Sequence, residues 1–403
     1  MFKKILSLLL VVVMCVSCAA LVACGDGKDE FKIGFICLHN DKSTYDKNFI
    51  DAALAAQEAM GLTDEQVIIK TNIGEDDSCY QAAADLVDQG CDIIFANSFG
   101  HESFIIQAAR EFPDVEFCHA TGTQAHVVNL PNFHNAFADI YEGRYLAGIV
   151  AGMKLNQMIE AGEFTAEEAK IGYVGAFTYA EVISGYTSFY LGAKSVCPSV
   201  TMDVRFTGYW FDITEEKNAA EALIDGGCKL ISQHADSMGA PSACEAAGIP
   251  NVSYNGSTQA TCPNTYLISS RIDWTPYFKY IIDCAMNDKK IDTDWCGGIN
   301  EGSVALTALN ESAAAPGTQA ALDAAIAQFK AGTLKVFDTE NFTINNGTKL
   351  DSTWKPGTGT DGAFVEGTVI VKDGIFCESE YRSAPYFDCW IDGITLLNKD
   401  FGD

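Results

Sequence analysis

A chain of 403 residues with 48% hydrophobic composition is long enough for two lobes of ordinary domain size, each with its own core. Its 54 acidic against 26 basic residues give a formal charge of −28, which argues against nucleic acid or an anionic membrane surface as a partner.

Lys3 and Lys4, the apolar run Ile5 to Val13 and Leu21-Val22-Ala23 ahead of Cys24 form the pattern of an export signal over residues 1–23. Leu-Val-Ala-Cys has the form of a bacterial lipobox, so Cys24 is expected to carry lipid. Residues 24–30 then read as a tether to the extracytoplasmic face of the cell membrane. Of the 15 cysteines, Cys15 and Cys18 leave with the signal and Cys24 is modified, which leaves 12 in the mature chain. Cys37 and Cys118 lie in strand patterns, and Cys91, Cys228 and Cys244 at small, core-like positions, so free thiols are expected rather than a disulfide framework.

Phe31 to Leu38 is a nearly continuous apolar run, which suits a strand buried on both faces of a parallel sheet. The polar loop His39 to Asp46 follows. Phe49, Ala52, Ala53, Ala56 and Met60 then recur at helical spacing up to Gly61, a natural stop. On that spacing Phe49 is more readily a core ring than a ligand contact. Strands at Gln66 to Thr71, Cys91 to Ala96 and Val115 to Ala120 alternate with helices at Cys79 to Gln89 and Ser103 to Phe112. Asn135 to Leu155 reads as one long helix.

A second series has strands at Lys170 to Gly175, Val200 to Phe206 and Lys229 to Gln233. Its helices lie at Glu181 to Ala193, Thr214 to Asp225 and Ala240 to Ala247, and a further helix at Trp274 to Met286. Such alternation predicts an α/β fold of two doubly wound parallel-sheet lobes joined by a hinge. Lobe I is expected to hold residues 31–135 and 262–295, and lobe II residues 136–261 and 296–403. Glu340 to Thr348 and Phe364 to Asp373 alternate like antiparallel strands, which predicts a β-rich C-terminal appendage.

There is no phosphate-binding glycine loop, no His-Glu-x-x-His, no Gly-x-Ser-x-Gly and no EF-hand loop. Glu102 and Asp236 lack a nucleophile or metal set beside them, and the mature chain has no Cys-x-x-Cys. A binding protein rather than an enzyme is expected, with no cofactor and no metal. The polar and aromatic residues fall in a pattern. Tyr45, Asp46, Asn48 and Phe49, then Asn97, Ser98, Phe99 and Glu102, then Phe177, His234, Asp236 and Asn255, all follow predicted strands. In a parallel two-lobed architecture they converge on one cleft. Rings to stack and carboxylates to accept from hydroxyl groups suit a flat, neutral, hydroxylated ligand, a nucleoside or a sugar.

Several spaced segments carry a resemblance. They are Asp46-Lys47-Asn48-Phe49, Ala109 to Phe117, Tyr141 to Gly152, Ile171 to Phe177 with Gly185-Tyr186, Gln233 to Ser237 and Asp273 to Tyr277. In this order, across Phe31 to Phe337, the chain resembles the basic membrane protein family of substrate-binding lipoproteins, in its PnrA-like and Med-like branch. The resemblance implies a periplasmic-binding-protein type I fold. It also implies a monomer that holds a purine nucleoside or related nucleobase between its lobes and delivers it to the permease of an ABC importer. It puts base stacking on Phe49 and Phe177 and ribose contacts on Asn255, while Glu102 or Ser103 stands where the family often has a ligand-binding Asp. Riboflavin or another small solute, and a ligand-sensing surface protein not coupled to transport, stay open as alternatives.

Overall fold

The computed structural model describes residues 30–350, 369–387 and 389–399. The expected export signal, Cys24 and all of the tether but Glu30 lie outside the described residues. β1 (Ile33–Ile36) is buried at every position and pairs in parallel with β2 (Val67–Lys70) on one side and β3 (Ile93–Ala96) on the other. With β4 (Glu116–Ala120), β5 (Phe133–Ala138) and β11 (Asp294–Gly297) it forms a fully parallel sheet in the order β11-β5-β4-β3-β1-β2.

Helix α1 (Thr44–Met60) starts where the Ser43 hydroxyl accepts from the Asp46 N–H, and ends at Gly61, which takes the left-handed conformation that favours glycine, φ 69°. Ala52, Ala53 and Ala56 of α1 pack with Phe278, Ile281 and Ile282 of α9 (Thr275–Met286) on one face of the sheet. Ala83 and Leu86 of α2 (Asp77–Asp88) meet Ile105 and Ala109 of α3 (Glu102–Glu111) on the other. A short helix, α4 (Ala125–Val128), follows β4.

The second sheet contains β6 (Lys170–Gly175), β7 (Thr201–Phe206), β8 (Leu230–Gln233), β9 (Asn251–Tyr254), β10 (Tyr266–Ile272), β12 (Val304–Leu306) and β15 (Ile394–Leu396). Its order is β12-β10-β9-β8-β6-β7-β15, parallel except where β12 meets β10. Ile171 and Tyr173 of β6 point to the layer made by α5 (Ile140–Glu160) and α6 (Ala180–Val196). Val174 points to that of α7 (Ile213–Asp225) and α8 (Gly239–Ala247). Helices α5 and α6 touch backbone to backbone. A Cβ at Gly148 would collide with the Phe189 carbonyl, and one at Gly192 with that of Tyr145. Helix α10 (Thr318–Lys330) lies over α5.

Two doubly wound lobes are thus present, and three details differ from expectation. Asn135 to Ala138 is the end of strand β5 rather than the start of a helix, because a strand buried on both faces shows no period-two pattern. Residues 262–295 divide between the sheets: β10 pairs with β9 in the second, whereas α9 and β11 return to the first. In the appendage, residues 340–348 form a loop rather than a strand. The Asp392 carboxylate accepts from Thr343 Oγ1 (2.6 Å), Asn346 N (2.9 Å) and Gly347 N (2.7 Å) and so fixes that loop. The only regular pairing within the appendage, among the described residues, joins β13 (Val371–Lys372) to β14 (Ile375–Phe376); residues 364–368 of the expected strand lie outside them. Cys37, Cys91, Cys118, Cys228 and Cys244 are buried free thiols. Among the described residues no helix is long and apolar enough to cross a membrane.

Candidate functional site

The chain passes between the sheets at Asp139, at Asp273–Trp274 and between Gly298 and Ser303, and the carboxyl ends of the two sets of strands face each other across a cleft. The lobes touch there. Asn48 Nδ2 donates to Asn255 Oδ1 (3.0 Å), the Thr44 hydroxyl donates to the Asp236 carbonyl (3.2 Å), and Phe99 stacks on Tyr179 with ring centroids 4.8 Å apart. Between these contacts lies a cavity with about 370 Å³ of empty space, open solvent at its mouth included. Leu38 and His39 line it from the loop after β1, Tyr45 from the first turn of α1, Ser98 and Phe99 from the segment after β3, and Thr121 from that after β4. The second lobe contributes Glu181, Trp210, His234 and Asp236.

Beneath the second-lobe wall sits Arg144, 1% exposed, with its guanidinium carbon 3.2 Å from the centroid of the Tyr254 ring. Its Nη1 donates to the Gln233 carbonyl (2.9 Å) and its Nη2 lies 3.0 Å from His234 Nδ1. Arginine only donates, so Nδ1 accepts and the proton of a neutral imidazole resides on Nε2. That nitrogen faces Glu181 Oε1 at 3.4 Å. The relay Arg144–His234–Glu181 fixes one tautomer and aims a carboxylate at the cavity. Burial, aided by the charge of Arg144, holds His234 below the usual imidazole value and so neutral at pH 7. Burial, with Glu216, Asp46 and Glu181 as neighbours, drives the Asp236 carboxyl well above the usual range. Carboxyls crowded in a low dielectric do not all ionise, and the upward shift of Asp236 favours its protonated form.

On the first-lobe side Asp46 is an organiser. It accepts from the His39 N–H (3.0 Å) and from Asn97 Nδ2 (2.8 Å), and its other oxygen lies 3.3 Å from His39 Nδ1. Burial alone would raise its carboxyl, but these hydrogen bonds bring it below the ordinary value. Asn97 Oδ1 in turn accepts from Leu38 N (3.0 Å), and the Asn97 carbonyl accepts from the Tyr45 hydroxyl (2.6 Å). Thr121 adopts φ 64°, and every other non-glycine residue with positive φ among the described residues is Asn or Asp. A β-branched residue held there signals strain at the cavity wall.

A family model described as ABC transporter substrate-binding protein PnrA-like matches residues 38–326. The chain belongs to the PnrA-like family of ABC transporter substrate-binding proteins. It is 31% identical to a purine-binding protein of Brucella abortus over 69% of this chain and 75% of that protein. It is 35% identical to a putative ABC transporter glucose-binding protein of Haloferax volcanii over 52% of this chain, and spans half of that relative's length. A solute-binding protein structure from Aeropyrum pernix covers 76% of this chain, and 93% of its own, with a TM-score of 0.62 at 15% identity. That likeness shows the fold, of periplasmic-binding-protein type I.

As a PnrA-like chain it distributes the sequence-predicted residues over three roles. Tyr45, Ser98, Phe99, His234 and Asp236 line the cavity. Asp46, Asn97, Asn48 and Asn255 hold the loops and the lobe contact around it. Glu102 also acts behind the wall, accepting from Thr123 N and Gln124 N, each at 2.8 Å, and burial raises its carboxyl. Phe49 departs from the stacking role implied by resemblance. It is 1% exposed and stacks on Trp274 with centroids 4.6 Å apart, the inward placement its helical spacing favoured. Phe177 backs the wall, stacked on Tyr179 (5.1 Å) and edge-on to Trp210 (5.0 Å). Leu38, His39, Thr121, Glu181 and Trp210 are lining residues that sequence reasoning did not single out. Trp210 lies in the loop after the predicted strand Val200 to Phe206, so the strand-end rule that points to the others also reaches it.

Proposed function

We propose that this substrate-binding protein captures a purine nucleoside or related nucleobase between its lobes and delivers it to the permease of an ABC importer. The observation that carries this reading is the pairing of a ring-rich wall, Tyr45, Phe99 and Trp210, with two carboxyls of different character. Glu181 offers acceptors, while a protonated Asp236 offers one O–H donor and a remaining acceptor. A heteroaromatic edge that alternates N–H groups and ring nitrogens matches that set, and the flat base matches the rings. Trp210 and Phe99 take over the stacking expected of Phe49, with Phe177 supporting Trp210. The name of the Brucella relative agrees. A sugar is the second reading, favoured by the name of the Haloferax relative and by the same carboxyls acting as hydroxyl acceptors.

In this reading the receptor is a monomer held to the extracytoplasmic membrane face by lipid on Cys24. Mass spectrometry of solute released from protein purified without additions tests the ligand, followed by calorimetry with what is found. A purine compound supports the first reading, a hexose replaces it with the second, and any other class refutes both.

A further inference from the structure

The family match ends at residue 326, yet the chain returns to the space between the lobes well beyond it. Residues 376–387 leave and re-enter the core of the second lobe. Phe376 and Phe387 pack ring on ring at 4.6 Å, and Phe387 also meets Phe337 at 4.7 Å. The Tyr386 N–H donates to the Glu378 carbonyl (2.8 Å) and closes the excursion into a loop. Arg382 stiffens its tip, with Nε donating to the Ala384 carbonyl (3.1 Å) and Nη2 to that of Pro385 (3.2 Å). Downstream, β15 adds to β7 of the second sheet, and Asn398 bonds both the N–H and the carbonyl of Phe206. Both ends of the loop are therefore fixed to lobe II.

The tip itself is fixed to lobe I. The Ser383 N–H and hydroxyl both donate to Asp294 Oδ1, at 2.9 and 3.0 Å. Asp294 opens β11, the edge strand of the first sheet, and its second oxygen faces His126 Nδ1 at 3.4 Å. Ser383 is 1% exposed, so water does not compete for these bonds.

We propose that residues 377–387 are a clasp that holds the two lobes closed even without ligand. Ser383 is carried by the second lobe and Asp294 by the first, just ahead of the crossing at Gly298, so an opening that shifts this edge of β11 against the second lobe breaks both bonds. Most hinged binding proteins close when ligand adds contacts across the cleft. Here part of that closure energy is built into the chain, which lowers the population of the open, ligand-accepting form and slows exchange.

The test needs no ligand, so it stands or falls apart from the identity of the solute. Full-length protein is unfolded in denaturant, dialysed free of bound solute, refolded and measured by small-angle X-ray scattering. Wild type is expected near the radius of gyration of a compact chain of this length, about 21 Å. Asp294→Ala, which removes the acceptor, is expected to raise it by about 1 Å through hinge opening. Ser383→Ala keeps the backbone donor and is expected to fall between them. Coincident scattering of wild type and Asp294→Ala overturns the clasp, as does a ligand-free wild type that is already open. Should Asp294→Ala lose its native circular dichroism, Ser383→Ala carries the test, and an unchanged radius overturns the proposal.

Discussion

Replacing Arg144 by methionine isolates the relay beneath the cavity, because methionine keeps most of the volume and removes only the charge and its donors. Two charge-assisted hydrogen bonds, to the Gln233 carbonyl and to His234, are worth about 1.5 to 3 kcal/mol each. The desolvated stack on Tyr254 adds about 2 kcal/mol. Against this gross sum stands relief from burying a guanidinium, which itself costs several kcal/mol. The net loss is expected to be about 3 kcal/mol, at the lower end of what removing one partner from a buried charged set costs. Urea unfolding at pH 7 measures it. The same variant carries a local signature. Burial still lowers His234, but without the neighbouring positive charge its imidazole titrates at higher pH, which proton NMR reads directly. A loss under about 1 kcal/mol together with an unmoved His234 would falsify the relay, since it would mean that the guanidinium neither holds the tautomer nor stabilises the wall.

Glu216 accepts from the N–H groups of Asp212 and Ser237, and burial is the main cause that pushes its carboxyl from 4.5 up to about 7. Folded chains retain a proton there that unfolded chains release, so stability falls as pH rises from 4.5 through about 7, by about 3 kcal/mol in all. Glu216→Gln abolishes this loss. Its melting temperature relative to wild type should climb between about pH 5 and pH 8, and a constant difference would rule the assignment out. At Thr121, glycine should be more stable than alanine by about 1 kcal/mol, the reverse of the usual order, because φ 64° strains any residue with a Cβ. Chemical denaturation of the two variants compares them, and alanine at or above glycine would mean the backbone there is relaxed. In the proposed reading acyl chains on Cys24, at about 0.8 kcal/mol per buried CH₂, supply the anchor, so Cys24→Ser should move the protein to the soluble fraction. Full-length variant that stays with the membrane refutes the lipid assignment.

The alternation of apolar runs and helical spacing was enough to read the two doubly wound lobes, because both signals are local. Phe49 marks where local reading divides from resemblance. Its i, i+3, i+4 spacing with Ala52 and Ala53 turns it inward, whereas its place after a predicted strand and the likeness to relatives assign it to the cleft. Asn135 to Ala138 reads as helix in the sequence because a fully buried strand and a buried helix start share one composition, and length alone separates them. Glu181 was legible as part of a helix but not as a cavity residue. Its orientation depends on His234 and Arg144, which lie far from it in sequence. The return of residues 376–387 to the first lobe had no local signal at all, since Ser383 and Asp294 are ordinary residues until the fold brings them together.

The pairing of β15 with β7 sets the order in which this protein can be made. Strand β7 ends at Phe206, yet its outer neighbour begins at Ile394, and β5 of the first sheet likewise waits for β11 at Asp294. A chain emerging from the ribosome therefore carries two sheets with an open edge for most of synthesis, and neither is finished by its own contiguous half. Contacts of such long sequence separation slow folding. The outer edge of the second sheet is therefore closed only once Ile394–Leu396 have been made, long after Phe206.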